Sequence, residues 1–441
     1  MTDSPSSRPI PVPSGRINRF ARIGSTAAGI AGTMAIQALG DVRRGARPDM
    51  RKLLVTPGNM RRLADELARM RGAAMKVGQL ISMDAGDILP AELAEIMGRL
   101  RDQAHFMPPR QLKQVLNRNW HSDWLRSFEH FDVRPIAAAS IGQVHRALLK
   151  DGRDVAIKVQ YPGIARSIDS DVANVGGLVK MSGLIPKGFD LAPYIEEARK
   201  QLHEETDYAR EGASMRRFSD LLADSDDFVV PEFCGDWSTS EILTMSYLDG
   251  QPIEAAADAA QGERNRIASA LIDLTLREVF DFNVTQSDPN FANYRYNSQS
   301  GKIILLDFGA TRSLDAGLRH GYRRLLRAGL EADREALRHA AVDLRFIEGD
   351  GAYDARILTL IQTVFDAVRS TGAFDFADRT LSTRMAEQGR ALAEAGYVPP
   401  PVPMDVLYLQ RKFGGMFLLG SRLRAVLPVR DLLQDHLDRA A

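Results

Sequence analysis

The chain of 441 residues is 44% apolar and 26% charged, the composition of an ordinary globular protein rather than of a disordered or fibrous one. Its length predicts roughly two to three structural units, and its single cysteine, Cys234, excludes an internal disulfide and fits a reducing compartment. The net charge of zero hides an asymmetry, because residues 1–62 carry eleven Lys or Arg against three Asp, a net of +8. These basic residues are interleaved with Gly and Ala rather than with stacking aromatics, so the sequence predicts no nucleic acid partner.

The first forty residues predict a leader followed by a weakly apolar stretch. Residues 1–16 are rich in Pro and Gly without an apolar period, which predicts a flexible leader that does not resemble a secretory signal. Residues 23–40 contain no charged side chain, but they are mainly Gly, Ala, Ser and Thr, which makes the stretch too weakly hydrophobic to predict a membrane-spanning helix. The stretch suits contact with an anionic membrane surface, a homodimer contact through small residues spaced four apart, or a plain buried helix, and these alternatives stay open.

An amphipathic helix is predicted over residues 60–81, where apolar residues recur at three- and four-residue steps. Lys76 and Gln79 share one face of it, and Gly78 removes the side chain that would keep that face at a distance from a neighbour. The functional interpretation is a polar pair that enters a pocket elsewhere on the protein. The alternative is a solvated lysine beside an incidental glycine, and the spacing alone favours it.

Further helix is predicted over residues 85–130, with Pro90 near a start and Pro108-Pro109 as a break. Aromatic residues recur there at four-residue steps: Trp120, Trp124 and Phe128. This pattern is typical of core packing rather than of a cofactor site.

A β-hairpin is predicted over residues 135–159, with its turn at Asp151-Gly152. Its second strand places the ammonium of Lys158 where it meets nucleotide phosphates, held by an acidic partner on a following helix. Ordinary kinases have a glycine-rich loop before that strand, whereas here three alanines, residues 137–139, stand in its place. Alanine disfavours positive φ and adds a methyl group, so we expect a stiffer loop with a different phosphate geometry. We expect His145 to be a strand residue and not a catalytic base.

A second amphipathic helix is predicted over residues 191–218, and it carries three carboxylates of interest: Glu205, Asp207 and Glu211. Glu205 lies on the face that should be buried, and because a buried carboxylate without a partner is costly, a cation should lie near it. We predict that Glu211 pairs with Lys158. Glu205 and Asp207 are then expected to pair with Lys76.

The last elements predicted before Asp288 are a strand and a helix. Residues 241–250 predict an edge strand that runs into a hinge, where backbone groups near Met245 would bind adenine. Residues 264–283 predict the helix that precedes the metal loop.

Asp288, followed five residues later by Asn293 and then by an apolar strand ending in Asp307-Phe308-Gly309, has the spacing with which kinase-like folds hold metal-bound ATP phosphates. Mg²⁺ prefers hard oxygen ligands in an octahedron, and carboxylates with an amide oxygen supply them. We therefore predict that these three polar side chains form one site, with Asp307 as the main metal ligand and Asn293 beside it. The alternative is that Asp-Phe-Gly merely ends a strand with a turn.

Together these motifs resemble the UbiB family, the aarF-domain atypical kinases linked to ubiquinone (coenzyme Q) biosynthesis. The resemblance covers roughly residues 17–440 and rests on five motifs in family order: Lys76–Gln79, Ala137–His145, Val155–Lys158 with Tyr161–Gly163, Glu205–Glu211, and Gln286–Asn293 with Asp307–Gly309. It implies an α+β, two-lobed protein-kinase-like fold with a helical N-terminal extension and a mostly helical C-terminal lobe. We expect four segments: the leader 1–16, the extension 17–130, the N-lobe 131–250 and the C-lobe 251–441.

The resemblance also implies how nucleotide binds. Lys76 of the extension would meet Glu205 or Asp207 in the pocket, while Lys158 would pair with Glu211. Contacts to ATP or ADP are expected from the following residues: Ala137, Ala138, Ala139, Ser140, Lys158, Glu205, Asp207, Glu211 and Met245. The alanine loop would favour nucleotide binding over ordinary protein phosphorylation.

The same resemblance assigns the metal ligands and the catalytic residues. Asn293 and Asp307 would hold Mg²⁺, and Asp288 would stand where a kinase has its base. The predicted catalytic residues are Asp288, Lys158 and Lys76. Two departures are that Ser287 precedes Asp288, where kinases have an Arg, and that no Ala-Pro-Glu follows Asp307. The chain is instead predicted to enter a helix near Asp315, which leaves hardly any room for an activation segment.

Three functions compete at this point. The first is an ATPase, or a kinase of a small lipid-like molecule, that supports quinone biosynthesis at a membrane surface. The second is a catalytically silent, nucleotide-gated scaffold for lipids or quinone-biosynthesis enzymes, and the third is a protein kinase. The retained Lys158, Asp288, Asn293 and Asp307 argue against a silent scaffold, and the intruding Lys76 argues against a protein kinase. We favour the first function and keep the second as the alternative.

The expected partners and location follow from this function. They are nucleotide, anionic lipid or quinone-precursor lipids, and quinone-biosynthesis enzymes. The proline-rich leader with Asp3 is a poor organelle signal, so we expect a bacterial cytoplasmic protein peripherally associated with the inner membrane.

Overall fold

The computed structural model describes residues 58, 67, 70–85, 106–181, 190–370, 372–397 and 402–439. The chain divides into two compact units. The first comprises Met1–Gly212 and Phe233–Tyr247, and the second comprises Ala213–Glu232 and Leu248–Ala441. The predicted leader and the weakly apolar stretch at residues 23–40 lie outside the described residues. The division into four segments remains a prediction.

The helices and strands are numbered in chain order. The helices are α1 (Arg71–Ala85), α2 (Pro109–Asn119), α3 (Ile164–Met181), α4 (Ala192–Glu205), α5 (Tyr208–Leu221), α6 (Gln261–Phe280), α7 (Ala316–Glu331), α8 (Arg334–Asp343), α9 (Asp354–Ser370), α10 (Thr380–Glu394), α11 (Met404–Leu423) and α12 (Val429–Arg439). The strands are β1 (Phe128–Phe131), β2 (Ala137–Ala138), β3 (Gly142–Leu149), β4 (Asp154–Gln160), β5 (Phe228–Val229), β6 (Ile242–Ser246), β7 (Gln251–Pro252), β8 (Val284–Gln286), β9 (Tyr294–Tyr296), β10 (Ile303–Leu305), β11 (Thr311–Ser313), β12 (Phe374–Asp375) and β13 (Val426–Leu427).

The first unit contains an antiparallel sheet with the strand order β1-β3-β4-β6, and β2 also pairs with β3. The predicted hairpin is confirmed for β3 and β4, whose turn contains Gly152 at φ +90°, a conformation that glycine adopts without strain. Its first strand is shorter than predicted, because β3 begins at Gly142 and Ala137 and Ala138 form the separate strand β2. Side chains alternate along β4, so Val155, Ile157 and Val159 are buried in the core while Lys158 lies on the opposite face. Strand β6 ends the sheet, as predicted for the edge strand.

The aromatic cluster of the first unit corrects one helix prediction. Trp120, Trp124 and Phe128 pack together as expected, with ring centroids 5.4 to 5.8 Å apart. However, α2 ends at Asn119, Trp124 lies in a short 3₁₀ helix and Phe128 begins β1, so continuous helix to residue 130 is wrong. Aromatic residues suit strands as well as helices, and three rings spaced four apart do not distinguish the two.

The helix predicted over residues 191–218 is two helices, α4 and α5, separated at Thr206 and Asp207. The Oδ1 atom of Asp207 accepts a hydrogen bond from Arg210 N at 3.0 Å, and this satisfies an N–H group in the first turn of α5. A short carboxylate that bonds nearby backbone in this way competes with helix continuation. Periodicity alone does not register that competition.

The second unit is mostly helical, as predicted for the C-terminal region. Side chains from α6, α7, α8, α9, α11 and α12 form one apolar core. The unit also contains a four-stranded sheet, β5-β10-β9-β7, and the pair β8 and β11. Asp315 caps α7 by accepting from Gly317 N at 2.7 Å, which confirms a helix start near Asp315. Within the described ranges, no helix combines the length and the apolar character that a bilayer span requires.

Candidate functional site

Lys158 and Glu211 form a bidentate ion pair in the first unit. The Lys158 Nζ atom lies 2.8 Å from Glu211 Oε1 and 3.0 Å from Glu211 Oε2. The strand β4 presents the lysine, and the first turn of α5 presents the carboxylate. The side chains are 13% and 1% exposed, so the pair is almost removed from water. The predicted ion pair is confirmed, while the contact of both residues with nucleotide stays a prediction.

Lys76 reaches the same unit's Glu205 from helix α1. Its ammonium forms an ion pair with Glu205 Oε1, and Ser140 Oγ donates a hydrogen bond to Glu205 Oε2 at 2.8 Å. Lys76 is buried, because it lies on the face of α1 that packs against α3 and α4. The other buried residues of this face are apolar or glycine. The Lys76–Glu205 pair is therefore confirmed, whereas the second predicted partner, Asp207, caps α5 instead. One carboxylate thus connects α1, the extension helix, to Ser140 of the alanine loop, which comprises residues 137–142.

The alanine loop is a tight hairpin whose backbone is fixed at both ends. Ala137 and Ala138 form β2 and pair with Val144 and Gln143 of β3, and Ala139 N donates to Gly142 O at 2.9 Å. A Cβ atom at residue 142 would collide with the carbonyl of Val159 in β4, so glycine is required there. This backbone pairing is compatible with a stiffer loop, which stays a prediction together with its phosphate geometry.

Met245 lies in β6 opposite Ala156 of β4, and it is buried. The strand ends at Ser246, and the first unit ends one residue later at Tyr247. The strand prediction is confirmed, and the binding of adenine at this point remains a prediction.

His145 lies in β3, which confirms the expected strand position. It is fully buried in β3, where Gln143 Nε2 donates to its Nε2 at 2.8 Å and its Nδ1 donates to Asp132 O at 2.7 Å. Burial lowers the pKa of His145, which favours the neutral ring that these two bonds require.

The second unit holds Asp288 and Asn293 on one loop between β8 and β9. Asn293 Nδ2 donates to Asp288 O at 3.1 Å, and Leu306 N donates to Asn293 O at 3.0 Å. These bonds bring the residue that precedes Asp307 beside Asn293. Asp307 Oδ1 in turn accepts from Gly309 N at 2.9 Å, which orients its carboxylate. The structure thus brings the Asp288 loop and the Asp-Phe-Gly motif together within this unit.

The donors at Asn293 and at Asp307 are of the kind that fits a magnesium ion. The amide nitrogen of Asn293 is committed to a backbone carbonyl, so its oxygen is the atom that remains for a metal. The Asp307 carboxylate retains a second oxygen besides the one that accepts from Gly309 N. Hard oxygen donors of these two kinds are the ligands that Mg²⁺ prefers. Their role as metal ligands stays a prediction.

Arg411 is a site residue that the sequence interpretation missed. Its Nη2 atom donates to Asp288 Oδ1 at 2.9 Å, and both side chains are largely buried. The two residues are 123 positions apart, so no local spacing connects them. A usable signal was present all the same, since Arg411 and Lys412 are adjacent charges in the otherwise apolar middle of α11.

Comparison with known proteins identifies the family. Residues 99–341 match the ABC1 atypical kinase-like domain. The chain is 36% identical over 430 residues to the mitochondrial atypical kinase COQ8 of Saccharomyces cerevisiae, covering 96% of this chain and 85% of that protein. It is 34% identical over 444 residues to mitochondrial atypical kinase COQ8B of Rattus norvegicus, covering 99% and 83%.

A solved structure supports the fold. The complex of Rv3197 with erythromycin from Mycobacterium tuberculosis matches with a TM-score of 0.61 and 22% identity, covering 84% of this chain and 93% of that one. At this level of identity the likeness concerns the fold alone, and it confirms the predicted kinase-like α+β architecture. The chain belongs to the ABC1 atypical kinase-like family, the UbiB and aarF group that its five motifs resemble.

Proposed function

We propose that this protein binds ATP and ADP with Mg²⁺ and acts as an ATPase, or as a kinase of a small lipid-like molecule, in support of ubiquinone biosynthesis at a membrane surface. The observation that carries the proposal is the Lys158–Glu211 ion pair in a chain of the kinase-like family. Burying two charges is costly and stabilises a fold little, so a functional reason for the pair is favoured. A fixed ammonium on this strand is the group that kinase-like folds direct at nucleotide phosphates.

The proposal gives each of the other polar residues a role. Asn293 and Asp307 would hold Mg²⁺, which when bound neutralises charge on the phosphates. Asp288 orients the attacking water or hydroxyl through the oxygen that Arg411 does not hold. Lys158 binds the phosphates, and Glu211 fixes its position.

The segment after Asp307 bears on the phosphoryl acceptor. Helix α7 begins at Ala316, only nine residues after Asp307. Protein kinases place an activation segment and its phosphosite in this part of the chain, before an Ala-Pro-Glu motif. The short connection supports water or a small lipid-like molecule as the acceptor rather than a protein.

The relatives and the charge distribution support the biological setting. The two COQ8 relatives support the link with coenzyme Q. The net charge of +8 on residues 1–62 supports contact with anionic lipid. We infer that the protein associates peripherally with the cytoplasmic side of an inner membrane, with quinone-precursor lipids and quinone-biosynthesis enzymes as partners.

A nucleotide-gated scaffold without chemistry is the second candidate. The observation that favours it is that Glu205 contacts both Lys76 of the extension helix and Ser140 of the alanine loop. A ligand that moves the loop would therefore act on the extension through one carboxylate, without any phosphoryl transfer.

Turnover of Mg-ATP separates the two candidates. Phosphate release is measured with and without EDTA and vesicles of phosphatidylcholine and phosphatidylglycerol. We expect release to require Mg²⁺, to rise with the anionic vesicles and to fall about a hundredfold in Asp288→Asn. An unchanged rate in Asp288→Asn would contradict the role of that carboxylate, and nucleotide binding without any release would favour the scaffold.

The link with quinone is tested in the host. The gene is deleted and restored as the unchanged sequence, as Asp307→Asn or as the control Asp350→Asn, which alters an exposed loop carboxylate of the same unit. We expect quinone to return with the unchanged sequence and the control only. Full restoration by Asp307→Asn would contradict an enzymatic role.

A further inference from the structure

A buried ion pair in the second unit supplies none of the predicted ligands or catalytic groups of the site described above. Glu278 lies near the end of α6 and Lys412 in the middle of α11, with Lys412 Nζ 3.1 Å from Glu278 Oε2 and side chains 2% and 1% exposed. Burial raises the pKa of Glu278. Burial works against the charged form of Lys412, but attraction to Glu278 and Tyr294 raises its pKa. Burying charges away from water costs free energy unless further hydrogen bonds satisfy them. The hydrogen-bond partners of this pair therefore indicate what the pair does.

The pair contacts both ends of the loop 287–293. At its start, Gln286 N donates to Glu278 Oε2 at 3.2 Å, and Lys412 Nζ donates to Gln286 O at 3.0 Å. At its end, Lys412 Nζ donates to the hydroxyl of Tyr294 at 3.3 Å. One ion pair therefore fixes the residues that flank the loop on either side. The predicted base and one predicted metal ligand both lie within that loop.

Helix α11 contacts the same loop at two further positions. Arg411 Nη2 donates to Asp288 Oδ1 at 2.9 Å. Gly415 approaches Pro289 so closely that a Cβ atom on residue 415 would collide with the proline ring. Residues 411, 412 and 415 of α11 therefore all contact the loop or the residues that flank it.

We propose that Glu278 and Lys412 are positioning residues, which hold the loop 287–293 in the geometry from which Asp288 and Asn293 act. Hydrogen bonds at both ends of a short loop limit the displacement of the side chains between them, and a misplacement of about 1 Å lowers an enzymatic rate by about a hundredfold. The expected effect of these residues on the rate of ATP turnover rests on the proposed function. It also predicts Mg-dependent nucleotide affinity, which is measured without turnover.

The main test replaces both charges by methionine, in the double variant Glu278→Met/Lys412→Met. This change leaves no single buried charge behind and keeps the core filled, but it also removes the hydrogen-bond partners of Gln286 N, Gln286 O and the Tyr294 hydroxyl. We expect a folded protein with a lowered thermal midpoint, a kcat at least about tenfold lower, and a smaller gain in ADP affinity on adding Mg²⁺. A folded double variant with kcat and Mg-dependent affinity within about twofold of the unchanged protein would overturn the proposal.

Two single Tyr→Phe variants test the positioning role if the double variant fails to fold. Tyr294→Phe removes the hydroxyl that Lys412 contacts, and Tyr322→Phe removes another buried hydroxyl, which donates to Val406 O of α11 at 3.3 Å and does not contact the loop. We expect Tyr294→Phe to lower kcat about threefold or more while the protein stays folded, and Tyr322→Phe to leave kcat unchanged. Equal kcat values in the two variants would overturn the proposal.

The unchanged protein separates failure of this proposal from failure of the proposed function. If it binds Mg-ADP without hydrolysing ATP, the proposed function fails, and the positioning role is judged on Mg-dependent affinity alone. If it neither binds nor hydrolyses nucleotide, both fail. If the unchanged protein hydrolyses ATP and these variants do not alter the rate, the positioning role alone is contradicted.

Discussion

Breaking the Lys158–Glu211 ion pair should destabilise the first unit far more than breaking an exposed ion pair on the same sheet. Lys158→Met removes the ammonium bound to a carboxylate that is only 1% exposed, which should cost about 3–5 kcal/mol of unfolding free energy. Glu211→Gln acts on a lysine that is 13% exposed and should cost less, about 1–3 kcal/mol. The double variant removes both charges, so its loss should fall short of the sum of the single losses by about 2 kcal/mol.

The assay is denaturant unfolding followed by tryptophan fluorescence, which reports on the first unit because all three tryptophans, Trp120, Trp124 and Trp237, belong to it. The control cycle uses Arg146 and Asp154, an ion pair at 2.6 Å on the same sheet with side chains 45% and 37% exposed. Its coupling energy should stay within about 1 kcal/mol. Equal coupling in the two cycles, or simple additivity at the buried pair, would refute the reasoning from burial.

Two further predictions concern the extension and helix α11. Exchanging the charges in Lys76→Glu/Glu205→Lys should partly restore the nucleotide affinity that either single change loses, and additive effects in a binding titration would count against the observed contact. Gly415→Ala should lower the unfolding free energy by about 1–3 kcal/mol through its collision with Pro289, whereas Gly414→Ala, which meets nothing within 4 Å, should leave it unchanged or raised by up to about 1 kcal/mol in the same denaturation assay.

Agreement between sequence and structure is best where a local pattern carries the information. The alternation of β4 and the turn at Gly152 predicted the strand that presents Lys158. The carboxylate partner of Lys158 was predicted 53 residues away because the kinase-like motifs come in a fixed order. Burial reasoning also predicted that Glu205 needs a cation, and Lys76 supplies it. The metal and nucleotide contacts of these residues remain predictions.

Two helix predictions were wrong because the periodic pattern does not register local hydrogen bonds or the convergence of different elements on one core. Asp207 was expected to pair with Lys76, but a carboxylate at a helix start bonds the backbone beside it, and this divided the predicted helix. The aromatic residues after Asn119 converge on one core from a helix end, a short 3₁₀ helix and a strand, although their spacing is that of a helix.

The sequence by itself determined the family, the strand that carries Lys158 and the residues around Asp288, because those depend on periodicity, turn chemistry and ordered motifs along the chain. Only the tertiary structure decided that α11 supports the Asp288 loop through Arg411 and the buried Lys412. The physical reason is that a charge in an apolar helix signals a need for a partner, while the identity of that partner depends on which backbone and side-chain groups packing brings within hydrogen-bonding distance.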